Sequence, residues 1–177
     1  MISKACMLAM CLICTTFTLN NKFLIQNRLD AFVIGSPVQK AEWENPPSIR
    51  ICAETKIPVY KMKKALSYWE ALGYNFGPVM TDYSIICSPP RAGEIVFGLP
   101  DAGFDTTKIA STSLYTHIID KNIVMAKINI TPNSSRKERV IEHEIGHALG
   151  WKHYNQKFHI MHSNWFFGGY DSKGLRK

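Results

Sequence analysis

Nowhere in this 177-residue chain do basic residues form a run interleaved with aromatics, although lysine and arginine outnumber aspartate and glutamate by 21 to 14. The basic side chains are scattered instead. Lys61, Lys63 and Lys64 fall on one predicted helix, Arg136, Lys137 and Arg139 at the start of another, and Lys173, Arg176 and Lys177 in the tail. They read as solvated faces, and no nucleic-acid partner is expected. No apolar run reaches the roughly 20 residues of a full membrane span. No sequence context marks a serine or cysteine nucleophile. Cysteine is also sparse. Cys6, Cys11 and Cys14 precede residue 22, which leaves Cys52 and Cys87 as either a disulfide or two buried thiols in neighbouring strands.

A hydrophobic fraction of 46% suits one globular domain with a single core once a leader is set aside. The leader is residues 1–21. Lys4 precedes an apolar run over 5–19, and polar Asn20, Asn21 and Lys22 follow, the order of a signal peptide or an uncleaved signal anchor. Export is therefore expected, with the protein secreted or attached to a membrane. Leu8-Ala9-Met10-Cys11 resembles a bacterial lipoprotein box except for Met10. Residues 22–47 read as a linker or short pro-segment ending in the stiff Asn45-Pro46-Pro47, with Asp30 as a candidate acid for covering a site.

The domain is expected over 48–177. SIRICAE alternates as a strand does. Over 59–72, Val59, Met62, Leu66, Trp69 and Leu72 recur at helical spacing, and Gly73 supplies a stop. PVMTDYSIIC, GEIVFGLP, IASTSLYTHII and NIVMAKINI follow as further strands. Ser135-x-x-Glu138 has the form of a capping box and predicts a second helix from about Arg136, with Val140, Ile141, Ile145, Ala148 and Leu149 on its buried side. The order predicts an α+β fold: a twisted mixed sheet, a backing helix, an active-site helix and a small C-terminal subdomain.

The second helix carries HEIGHALGWKH, followed by HIMH. At about 100° per residue His143 and His147 project from one helix face, so two imidazoles can grip one ion. Glu144 lies beside them, placed to handle a water without ligating the metal. Gly150 ends the helix, because glycine takes a left-handed cap without strain. The turn there lets His153 return as a third ligand, leaving one tetrahedral position open, as in catalytic zinc sites. Five fixed residues at this spacing arise by chance in such a chain with a probability of roughly 10⁻⁴ or less.

This stretch resembles the signature of the metzincin clan of zinc metallopeptidases, HExxHxxGxxH followed by a methionine-containing turn. The resemblance implies one catalytic zinc on His143, His147 and His153, Glu144 as general base and acid, structural support from Gly150, and Met161 as an apolar floor beneath the ligands. It implies a zinc endopeptidase that hydrolyses peptide bonds through an activated water, without a covalent intermediate. More narrowly the chain is similar to matrixins over about residues 48–169. Ala65-Leu66, Trp69 and Phe76 resemble the first matrixin helix and its exit. GFDTTKIASTSLY resembles the loop and edge strand, so residues 109–113 would bind an extended protein or peptide substrate by strand addition. The pocket for the residue after the cut would be walled by Asn164, Trp165, Phe166 and Phe167.

This chain departs from the matrixin pattern in several places. Neither Cys52 nor Cys87 has the surroundings of a cysteine switch. Only His117 stands where matrixins carry histidines for a structural zinc, so a single zinc is expected. The 16 residues after Met161 are too few for a C-terminal helix with its approach. Ser163 stands where astacins carry a tyrosine, with Tyr154 and Tyr170 as candidate substitutes in stabilising an oxyanion. His159 and His162 read as surface residues, with second-shell donation as the alternative. Two other functions remain open at this level: a zinc-binding structural or interaction module without turnover, and a hydrolase of cell-wall amides.

Overall fold

The computed structural model describes residues 35–177; the leader, Asp30 and the first part of the expected linker lie outside the described residues. The compact unit begins at Ser36. It is a mixed α/β fold on one five-stranded sheet, with strands β1 (Ser48–Cys52), β2 (Val79–Asp82), β3 (Glu94–Gly98), β4 (Ala110–Thr116) and β5 (Ile123–Ile130). The sheet order is β2-β1-β3-β5-β4, with β4 antiparallel to β5 and the other pairs parallel. Among the described residues three α-helices accompany it, α1 (Val59–Glu70), α2 (Pro132–Arg136) and α3 (Val140–Ala148), with a short 3-10 helix at Ala53–Thr55.

Period-two alternation sorts the strand residues onto two faces. Ile49 and Ile51, Ile95 and Phe97, and Ala126, Ile128 and Ile130 share one buried cluster with Met62, Leu66 and Trp69 of α1 and Ile141 and Ile145 of α3. Val59, expected in the α1 stripe, is exposed at the first turn of the helix.

SIRICAE supplies the expected strand, and the sheet face opposite the core is covered rather than solvated. Arg50 is 1% exposed and forms ion pairs with Glu94 at 2.5 Å and Asp82 at 3.2 Å. It also donates to the carbonyls of Cys87 and Pro89. The cover is the segment between β2 and β3, pinned by a disulfide between Cys52 and Cys87, whose Cα atoms are 5.6 Å apart. Ile85 and Ile86, expected in a strand, lie exposed in this segment, because β2 ends at Asp82.

Residues 36–47, expected within a linker or short pro-segment, pack with the domain. The Gln39 side chain donates to Leu149 O and the Trp43 indole to Ala148 O, each at 2.8 Å, and Lys40 N donates to Gly150 O at 2.9 Å. These bonds satisfy carbonyls that the C-terminal end of α3 leaves without intrahelical partners. Among the described residues no helix is long and apolar enough to cross a membrane.

Candidate metal centre

The helix that carries the histidines does not start with the expected capping box. Thr131 caps α2 by accepting from Ser134 N at 3.1 Å, Pro132 takes the first turn, and Ser135 donates to Pro132 O instead. Lys137 is extended and Arg139 is left-handed at φ 66°, so α3 begins at Val140. A non-glycine residue in that conformation costs roughly 1–2 kcal/mol. It turns the Arg139 side chain towards the loop after Met161, where it donates to the Gly168 and Trp165 carbonyls. The expected solvated face of basic residues therefore loses Arg139.

At its other end α3 stops as expected. Gly150 has φ 95°, and Gly150 N and Trp151 N donate to His147 O and Gly146 O, the pairing of a Schellman cap. A Cβ at Gly150 would collide with the Ala41 carbonyl. The chain reverses there and brings His153 back to His143 and His147. One nitrogen from each of the three histidines lies within 4.8 Å of the others.

The imidazole tautomers follow from their partners. His143 Nδ1 lies 2.6 Å from Ile160 O and His147 Nδ1 2.7 Å from Trp151 O. A carbonyl only accepts, so both Nδ1 atoms carry the proton and both Nε2 atoms keep a free lone pair. His147 Nε2 and His153 Nε2 are 3.1 Å apart, close to the about 3.3 Å expected between two nitrogens bound tetrahedrally to zinc at 2.0–2.1 Å. Burial holds His143 down at about 3 and His147 at about 4, and lowers His153, so the ligand set is neutral at physiological pH. Unprotonated imidazoles bound from behind by carbonyls fit a divalent ion of the zinc type.

Glu144 is not part of that set but lies beside it. Its carboxyl is buried, which pushes it up to about 7, and it takes one side-chain hydrogen bond, from Thr112 Oγ1 to Oε2 at 2.6 Å. Sequence reading placed Thr112 within the expected substrate-binding strand but missed its bond to Glu144. The signal was available, since period two in β4 puts Thr112 between Ala110 and Leu114, a polar residue on the face that packs on the core.

Met161 is fully buried under α3. A Cβ on Gly146 would strike Met161 Sδ and the Trp69 indole, so that glycine makes room for the methionine. His159, read as a surface residue, is fully buried: its Nδ1 accepts from Met161 N at 3.1 Å and its ring lies 4.8 Å from that of Tyr154. It orders the methionine turn. Tyr154 packs against His159 and Tyr170 against Tyr68, and neither is among the residues lining the cleft.

The cleft has a volume of about 510 Å³ and runs past His143, Glu144 and His153. Ile109 and Ala110 line it near β4, and Asn164, Trp165 and Phe166 near the C-terminus; Phe167 does not. His162 also lines it, while its Nδ1 accepts from Asn164 N. His117 is far from these residues in the turn after β4, beside Asp120 at 3.4 Å. No protein-family model and no curated protein sequence matches the chain.

Proposed function

We propose that this protein is a zinc-dependent endopeptidase of the metzincin type, matrixin-like in outline and exported by its N-terminal segment. The observation that carries the proposal is the convergence of three neutral imidazoles beside a buried carboxyl group in an open cleft. His143, His147 and His153 would hold the ion. When bound, zinc supplies Lewis acidity and makes a water molecule nucleophilic near neutral pH.

The chain's own residues do the remaining work. Glu144, buried beside the three histidines, removes a proton from the attacking water and returns it to the leaving amine. Thr112 holds the carboxylate in the position from which it can do both. Among the described residues β4 is an edge strand of the sheet, and it starts at the cleft with Ala110, so an extended peptide can add there as a further strand.

The test is cleavage of a peptide library by the zinc-loaded full chain. Cleavage lost on chelation, and reduced by about 10²-fold or more in Glu144→Ala, supports the proposal. Zinc binding without cleavage of any peptide would make the protein a binding module, and release of cell-wall fragments alone would make it a wall hydrolase.

A further inference from the structure

The cleft carries a charge imbalance that the proposed chemistry does not use. Its charged lining residues are Lys108, Arg139 and Glu144, and Glu144 is already engaged by Thr112. Arg139 has no carboxylate within ion-pair distance among the described residues. Its Nη atoms donate to the Gly168 and Trp165 carbonyls, its guanidinium lies 5.3 Å from the centre of the Trp165 ring, and its Nε is buried with no partner. A guanidinium has five N–H donors and favours planar, bidentate recognition of a carboxylate.

This cation does not drift with solvent. Trp165 is anchored by its indole N–H to Glu138 O at 2.9 Å, and the two carbonyls fix the guanidinium plane. Carbonyl dipoles, a ring face and the longer-range field of Glu142 offset part of the positive charge, but among the described residues no carboxylate reaches it at ion-pair distance. A partly desolvated charge of that kind favours an anionic ligand over its neutral isostere.

We infer that Arg139 selects peptide substrates with an acidic side chain, which it binds between the N-terminus of α3 and the wall formed by residues 163–166, Gly168 and Gly169. The inference rests on the peptidase reading for its substrate class and not for the recognition itself. Lys108 on the opposite rim adds to the same preference through longer-range attraction.

The experiment uses peptides in which a single glutamate, or its isostere glutamine, is moved along an otherwise neutral sequence. Binding to the zinc-loaded Glu144→Ala chain is measured by fluorescence anisotropy, and cleavage is measured with the wild type. At one position glutamate should bind at least about tenfold tighter than glutamine, with the margin shrinking as salt rises. Arg139→Gln should erase the margin, read as the ratio of glutamate to glutamine affinity within that variant; Arg139→Lys, which keeps the charge, should retain part of it. Equal binding of the two series at every position, or a margin that survives in Arg139→Gln, would overturn the inference. A wild type that cleaves none of the peptides would count against the peptidase reading alone, because the binding series still decides the role of Arg139.

Discussion

The Thr112 hydroxyl donates to Glu144 Oε2 across 2.6 Å, from the core-facing side of the edge strand to a buried carboxyl group on α3, the helix that carries His143 and His147. Replacing the hydroxyl by a methyl of similar volume leaves the carboxylate free to rotate. Thr112→Val should lower peptide turnover by about ten- to a hundredfold. Zinc content and KM should change little, and Thr112→Ser should restore most of the rate. An unchanged rate in Thr112→Val would remove Thr112 from the site.

Glu144 also shapes stability in the metal-free protein. Its folded pKa of about 7 lies above the ordinary 4.5, so between those values the folded state holds a proton that the unfolded chain has released. Its contribution therefore falls as pH rises through that window. Glu144→Gln should stabilise the metal-free protein by about 3 kcal/mol at pH 8, and the gain should vanish by about pH 4.5. Urea unfolding across that range measures it; a pH-independent difference would refute the assignment.

Met161 fills the space left by Gly146. Truncation to alanine should cost about 2–5 kcal/mol, whereas Met161→Leu should cost less than about 1.5 kcal/mol. If the methionine serves only as an apolar support, the leucine variant keeps its zinc and its activity. A leucine variant that is stable yet loses zinc would show a more specific role for the sulfur.

Much of this centre is legible in the sequence because it is local. His143 and His147 are linked by helical periodicity, and Gly150 announces the turn that returns His153. What escaped reading depends on contacts distant in the chain. Arg50 looks like a solvent-facing strand residue until the disulfide-pinned segment folds over it and brings Glu94 and Asp82 to its guanidinium. His159 looks like a surface histidine until its ring is needed to accept from Met161 N. Residues 36–47 look like a linker because the carbonyls they satisfy lie more than 100 positions further on.

That segment leads to a prediction about maturation. A chain starting at Ser36 should fold and bind zinc as the longer form does. A chain starting at Ser48 loses the bonds to Ala148, Leu149 and Gly150, and each such loss costs about 1–3 kcal/mol where the carbonyl stays buried. Thermal melts of the two should differ clearly, and Trp43→Ala in the longer chain should reproduce part of the loss. Equal melting temperatures would mean that residues 36–47 are dispensable.

The most direct test of the account is zinc X-ray absorption on the purified full chain together with its metal content. One zinc per chain, with three imidazole nitrogens at 2.0–2.1 Å and a fourth light-atom ligand, is the predicted result. His153→Ala should lose one nitrogen from the coordination shell and weaken binding. A protein that takes up no zinc at neutral pH, or a shell unchanged in His153→Ala, would contradict it.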